Sequence, residues 1–420
     1  MPRSALRDMT IPCAVRSRLE EDLSLLQAGT SENLVHVMVV AGEASADRYA
    51  ARLIERLREA PGGERLRFFG TGGERMLAAG VEIACHIREL ASIGPREALS
   101  HLGLYLSTYR RLIDLAGRRK PVVAVLLDFP DFNLRLARRL KQLHVPVVYY
   151  ISPQVWAWRS GRVRSIRRTV DRMLVILPFE EEFYRIRGVE AQFVGHPLLE
   201  EFTCRPDRPQ FLRKHGLSTE RATIAVLPGS RWREVEYILP VLLESGKALM
   251  RDMKVQFAVS SAPSVDGRRV REIVDQALPE QEQRERLRVI DGDSRDILAN
   301  ADFGWVKSGT STLEAALVGV PFLMVYRVSP ASAAIGKLLI RSRFKGLVNL
   351  IAQHEVVPEL VQSDANAETI VRVTREYLGT PGRCDEMRRQ LDDVRLRLGQ
   401  RVASESVAEV VRGYLGNLNR

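Results

Sequence analysis

The sequence predicts an α/β protein of two doubly wound, Rossmann-like domains that face a central cleft. Short apolar runs of strand length alternate with amphipathic helical stretches along most of the chain. Several runs end in loops rich in Gly, Ser, Thr or acidic residues, which in open α/β sheets are the loops that meet ligands. A polar, Pro-containing stretch over 204–218 divides two such series and reads as an interdomain linker. The 420 residues suffice for two domains with ample cores. The expected organisation is an extension over 1–33, a first domain over 34–203, a second over 204–366, and helices over 367–420 that can pack back on the first domain.

Residues 1–33 show weak periodicity, with Arg3, Arg7, Arg16 and Arg18 followed by Glu20, Glu21 and Asp22, and no apolar core of signal-peptide length. They read as a disordered or loosely helical extension, with a transit peptide as the alternative. The apolar run 34–40 is a buried strand that delivers Ala41-Gly42-Glu43-Ala44-Ser45-Ala46-Asp47 before an amphipathic helix. Glu43 and Asp47 therefore flank the carboxyl edge of a strand, although Ser45 as helix N-cap with Asp47 in the first turn accounts for the same residues. A second strand, 66–69, ends in Gly70-Thr71-Gly72-Gly73. Here the third glycine position of a dinucleotide fingerprint holds Arg75, which disfavours a nicotinamide enzyme.

Over 93–115 the apolar residues Leu99, Leu102, Leu106, Tyr109 and Ile113 recur at helical spacing. Most such stripes are core. The alternative is a surface for acyl chains and membrane, carried by Ile93, Leu99, Leu102 and Leu106, with Arg110, Arg111, Arg118, Arg119 and Lys120 near lipid head groups. The β-branched run 121–127 is a fully buried strand and ends in Asp128-Phe129-Pro130-Asp131-Phe132-Asn133. A carboxylate at such an edge is well sited as a general base, with Asp128 preferred because it follows the strand directly and Asp131 better placed as a cap. After strand 147–151, Trp156 and Trp158 precede a row of arginines, Arg162, Arg164, Arg167 and Arg168. The tryptophans can stack on sugar, sit at a membrane interface or pack a loop. A strand over 172–177, a helix over 180–187 and Val194-Gly195-His196-Pro197 close the first half.

The second half repeats the alternation, with strands expected over 223–227, 255–260, 288–291, 303–306 and 322–326. The first ends in Leu227-Pro228-Gly229-Ser230-Arg231, a Gly-containing turn with a guanidinium ahead of a helix. The fourth ends in Ser308-Gly309-Thr310, followed by a helix whose first turn is expected to carry Glu314. The first N–H groups of a helix lack intrahelical partners and the dipole adds positive potential, so two such turns suit a nucleotide diphosphate. Glu314 can accept from a ribose diol, while an ordinary capped helix, with Ser308 or Thr310 as N-cap, is the structural alternative. Asp291-Gly292-Asp293 ends a strand and is read as a turn.

Composition narrows the class. With 45% hydrophobic and 27% charged residues the chain is an ordinary globular one, and no apolar run reaches the length of a membrane span. The net charge of +11 has a solvated basic surface as its plain explanation; nucleic acid is one candidate partner, though no aromatic-basic recognition motif or zinc-finger spacing supports it, and an anionic membrane surface or phosphorylated lipid fits as well. Cys13, Cys85, Cys204 and Cys384 form no Cys-x-x-Cys pair, which points to a reducing compartment and away from a structural metal.

Taken together, the motifs resemble those of the lipid-A-disaccharide synthases, inverting glycosyltransferases of the GT-B fold, over nearly all of 35–362. To the motifs already quoted are added Ser152-Pro153-Gln154-Val155-Trp156-Ala157-Trp158 and Asn349-Leu350 through Val357-Pro358-Glu359. Ala46 stands where that family usually has glycine, and 1–33 has no counterpart in it. The resemblance implies transfer from UDP-2,3-diacylglucosamine to the 6-hydroxyl of 2,3-diacylglucosamine 1-phosphate, with neither metal nor cofactor. It implies work in the cytoplasm at the inner leaflet of the cytoplasmic membrane of a Gram-negative bacterium, and it admits a homodimer. On this pattern the catalytic candidates are Asp128, Arg231 and Glu43. The substrate-binding candidates are Ser308, Gly309, Thr310, Glu314, Gly229, Ser230, Asn349, Ser45 and Asn133. A UDP-N-acetylglucosamine 2-epimerase or another UDP-sugar transferase of the same fold is the alternative enzyme. A non-catalytic lipid binder would leave the two anion turns unexplained.

Overall fold

A computed structural model describes residues 34–91, 98–156, 160–201, 207–292, 294–329 and 343–416. The chain divides into two compact units: Met1–Tyr150 with Thr169–Asp171 and Val407–Arg420, and Ile151–Arg168 with Arg172–Ser406.

In the first unit five parallel strands lie in the order β3-β2-β1-β4-β5. They are β1 (Val35–Val40), β2 (Leu66–Gly72), β3 (Glu82–His86), β4 (Val123–Leu127) and β5 (Val147–Tyr150). β4 reads Val-Ala-Val-Leu-Leu and is buried throughout, as a central parallel strand covered on both faces requires. β1 is the hub, with Val37 opposite Phe68 on one side and Val123 on the other. The helices Ala44–Glu59, Ala98–Arg119 and Pro130–Gln142 connect the strands. Because every strand runs the same way, the loops after Val40 and Leu127 open on one edge.

The second unit contains the parallel pair β6 (Arg172–Val175) and β7 (Ala191–Phe193). It also holds a six-stranded parallel sheet in the order β10-β9-β8-β11-β12-β13. These strands are β8 (Ala222–Leu227), β9 (Val255–Ser261), β10 (Leu287–Asp291), β11 (Phe303–Lys307), β12 (Phe322–Tyr326) and β13 (Glu359–Val361). Val306 lies opposite Leu227 and Lys307 opposite Val325, so the turns after β8 and β11 are neighbours on one edge. A large apolar core surrounds this sheet, and the indole of Trp305, fully buried in it, donates to the Thr374 hydroxyl at 2.9 Å.

Two expectations need correction, and three strands go beyond what the sequence predicts. The linker read over 204–218 contains a helix, Arg208–Lys214, with Asp207 as N-cap, and Arg208 ties it to Asp302 at 2.5 Å. The short edge strands β3, β7 and β13 were not read from the sequence, because three to five residues flanked by polar ones give too little alternation. Among the described residues, the stripe expected over 93–115 is out of phase with the buried face of the helix Ala98–Arg119. Thr108, Leu112 and Ala116 are buried, whereas Leu106 is 45% exposed. Leu99 and Leu102 fall on the Ala98–Arg119 helix, and Ile93 lies outside the described residues. Asp293, Trp158, Cys13 and Cys204 also lie outside them. Among the described residues no helix is long and apolar enough to cross a membrane.

Candidate active site

In the first unit the loop after β4 is held in a conformation that L residues avoid. Asp128 and Phe129 have φ of 45° and 50°, both left-handed, and Phe129 is the N-cap of the helix that begins at Pro130. Two such residues cost roughly 1–3 kcal/mol each and persist only where the surroundings over-determine them. Here they are over-determined. Asn133, fully buried, donates its amide to the carbonyls of Leu127 (3.1 Å) and Asp128 (2.8 Å). The Tyr149 hydroxyl donates to the Asp128 carbonyl (2.5 Å), and the Asp128 amide donates to the Tyr150 carbonyl (3.1 Å). The Phe129 ring stacks on Phe132 (5.3 Å) and abuts Tyr105 (5.6 Å). It occupies the space a side chain at position 42 would need: a Cβ on Gly42 would come within 2.3 Å of it.

This clamp fixes Asp128 at the edge of the sheet. Burial and the negative charge of Glu43 push its carboxyl up to about 7, against a hydrogen bond from the Phe129 amide. A carboxyl that titrates near neutrality is suited to accept a proton at working pH. Asp131 is not the cap expected of it; it is exposed in the first turn of the helix. Glu43 caps the helix Ala44–Glu59 by its position, is exposed, and accepts a hydrogen bond from the Ser45 hydroxyl. Ser45 is therefore inside the helix rather than its N-cap. Asp47 is buried and accepts from the amides of Gly73 (2.6 Å), Arg75 and Met76 (both 3.1 Å), so it anchors the neighbouring loop.

The second unit brings together the two turns read from the sequence as anion sites. Arg231 is the N-cap residue of the helix Trp232–Met250, and its side chain is 73% exposed. Gly229 has φ of 136°, and a Cβ there would meet the Glu234 side chain at 2.6 Å, so glycine lets Glu234 fold back over the turn. Glu234 accepts from the Ser230 amide (3.1 Å) and pairs with Arg231 (3.4 Å) and Lys307 (2.8 Å). Its burial raises its pKa, but Lys307, Arg231 and that amide outweigh burial and hold the carboxyl below the usual range. Lys307 and Glu234 were not singled out in the sequence. The available signals were a lone lysine ending an apolar run and an Arg-x-x-Glu spacing across a helix start.

The N-cap of the helix Thr310–Val318 is Gly309 rather than Ser308 or Thr310. Glu314 therefore falls in the second turn, where it accepts from the Ser294 hydroxyl at 2.9 Å. The Ser308 hydroxyl reaches the Lys345 carbonyl at 3.4 Å. Asn349 is fully buried: its amide donates to the Val357 carbonyl and Glu359 (2.8 and 2.9 Å), and its oxygen accepts from the Val356 and Val357 amides (2.8 and 3.0 Å). Glu359 in turn accepts from the amides of Lys345 (2.7 Å) and Gly346 (2.9 Å). Asn349 thus shapes the loop that Ser308 touches. Trp156 packs a loop: its indole donates to buried Glu180 (3.0 Å) and its ring meets Phe179 edge-on.

A carboxyl poised near neutrality at one set of strand ends, with cations and helix N-termini at another, fits transfer of a group from a diphosphate leaving group. Comparison with known proteins decides the family. The model of the lipid-A-disaccharide synthetase family matches residues 37–411. The chain belongs to that family. It is 41% identical over 380 residues to the lipid-A-disaccharide synthase of Myxococcus xanthus, covering 90% of this chain and 97% of that one. It is 42% identical over 374 residues to the synthase of Syntrophus aciditrophicus, covering 89% and 96%. Family membership makes it an enzyme, a glycosyltransferase of lipid A synthesis. Solved structures agree in fold alone. The UDP-GlcNAc 2-epimerase from Neisseria meningitidis, bound to UDP-GlcNAc, superposes with TM-score 0.62 at 12% identity over 90% of this chain and all of that one. The calicheamicin glycosyltransferase CalG4 gives 0.55 at 16%, over 92% and 99%. The epimerase likeness carries no activity at that identity, whereas the synthases match the sequence itself.

Proposed function

We propose that the chain transfers the diacylglucosaminyl group of UDP-2,3-diacylglucosamine to the 6-hydroxyl of 2,3-diacylglucosamine 1-phosphate. The products are the β-1′,6-linked disaccharide 1-phosphate and UDP. Beyond family membership, the observation that supports this chemistry is the clamped Asp128, whose carboxyl titrates near 7. In this reading Asp128 takes the proton of the 6-hydroxyl as its oxygen bonds to the anomeric carbon. The bond from that carbon to the diphosphate breaks, and inversion follows from attack opposite the leaving group. Burial, and then the charge of Glu43, hold Asp128 high in pKa; Glu43 is the competing base, and Ser45 orients Glu43. Asn133 acts through the loop.

On the leaving side, Arg231 and the amides around Gly229, Ser230 and Ser308-Gly309-Thr310 neutralise charge as UDP departs. Glu314 accepts from the ribose, and Asn349 keeps the adjoining loop in shape. The reading gives no role to a metal or cofactor. The exposed Leu106, with Arg110 exposed a turn further on, supports contact of this helix with acyl chains and the inner leaflet of the cytoplasmic membrane. A cytoplasmic, membrane-peripheral location and a homodimer belong to the same reading. The test is UDP release. It should require both lipid substrates, and UDP-N-acetylglucosamine alone should give neither UDP nor its 2-epimer. Formation of the epimer would favour the epimerase instead.

A further inference from the structure

The reading above leaves one group at the anion turns without a task. Lys307 is the last residue of β11, and its ammonium is 2.8 Å from Glu234 Oε1, with both side chains largely buried, at 18% and 16% exposure. A Cβ on Gly309 would lie 3.5 Å from the Lys307 nitrogen, so the ammonium stands directly over the Ser308-Gly309-Thr310 turn. Glu234 belongs to the other turn, where it also takes the Ser230 amide and the Arg231 guanidinium. One carboxylate thus joins both anion loops, and the cation it holds faces the place assigned to the diphosphate. An ammonium has three N–H donors, and the Glu234 contact uses one.

We infer that Lys307 is a donor-binding residue that contacts the diphosphate of the UDP-sugar, and that Glu234 is the positioning residue that aims it. This rests on the UDP-sugar reading given above. A purely structural ion pair would fill the same space, and the two roles differ in sign at Glu234. Removing a negative charge near a polyanion strengthens binding if only the field matters, whereas it weakens binding if the carboxylate aims Lys307.

Calorimetry with UDP and with uridine separates these. A hydrogen bond from a charged donor corresponds to about 10- to 100-fold in affinity. Lys307→Met is expected to lose that much UDP affinity with uridine binding unchanged, and to bind UDP with a shallower salt dependence. Lys307→Arg should recover part of the loss. Glu234→Gln, which keeps shape and volume, should weaken UDP binding in spite of the charge it removes. Thermal melting establishes that each variant is folded, and if Lys307→Met does not fold, Lys307→Arg and Glu234→Gln still decide. UDP bound by the wild type and by Lys307→Met with equal affinity, or more tightly by Glu234→Gln, overturns the inference alone. A wild type that binds no UDP overturns it together with the proposed function.

Discussion

Replacing Asp128 by Asn should sharply lower turnover and, above neutral pH, stabilise the protein. The substitution is conservative, because Asn133 and Tyr149 hold the main-chain carbonyl of residue 128 rather than its side chain. An amide oxygen can still accept from the Phe129 amide, but it takes no proton from an acceptor hydroxyl. Loss of a general base corresponds to about 10²- to 10⁴-fold in rate. The stability effect follows from linkage. The carboxyl titrates at about 7 in the fold against an ordinary 3.8, so between those values the folded state holds a proton that the unfolded state has released. Stability therefore falls as pH rises through this window, by up to an amount on the order of 4 kcal/mol, the product of the shift and the energy of one pKa unit. The Asn variant lacks the loss. Melting curves at pH 4 and pH 8 should show wild type and variant alike at the lower pH and the variant higher at the upper. In the wild type, kcat/KM should rise with pH toward a plateau above about 7. A variant that turns over normally, or is no more stable at pH 8 than the wild type, refutes the assignment of base and the reason for its pKa. Collapse in Glu43→Gln alongside normal Asp128→Asn would move the role to Glu43.

Three further outcomes are expected. Arg231→Ala should lower turnover by about 10²–10³, and Arg231→Lys should restore it only in part, because a point charge does not reproduce the guanidinium fork. Near-normal turnover in the Ala variant would remove Arg231 from the leaving-group site. Glu314→Ala should weaken UDP binding in calorimetry, and unchanged affinity would leave Glu314 with no part in UDP binding. Leu106→Ser, at an exposed position, should leave the melting temperature and UDP affinity alone while weakening binding to vesicles that contain anionic lipid; unaltered vesicle binding would exclude it from the membrane surface.

Much of the fold was legible because buried parallel strands are written as short apolar runs: β11, expected over 303–306, spans Phe303–Lys307, and β4, expected over 121–127, spans Val123–Leu127. The strand-end loops were legible for the same reason, since the runs point to them. Less legible was whatever depends on contacts distant in sequence. Asn349 looks like a polar loop-side residue, yet all its hydrogen-bonding capacity goes to a turn seven to ten residues on. Asp128 was placed at the strand end from pattern alone, but its clamp comes from Gly42, Tyr149 and Asn133 on three different segments. Helix caps were misassigned because Glu43, Phe129 and Gly309 hold N-cap positions without a capping side chain, so local propensity favoured their Ser, Thr and Asp neighbours. The stripe near Leu106 failed on phase. Apolar spacing locates a helix, but here the buried face is lined by Thr108, Leu112 and Ala116, of which only one is large and apolar.

The most direct test of the account is analysis of the product formed from UDP-2,3-diacylglucosamine and 2,3-diacylglucosamine 1-phosphate. Mass spectrometry should find a species equal in mass to the two substrates less UDP, and NMR should show a β-configured 1′,6 linkage. An α linkage, or lipid substrates recovered unchanged after incubation with folded enzyme, would contradict it.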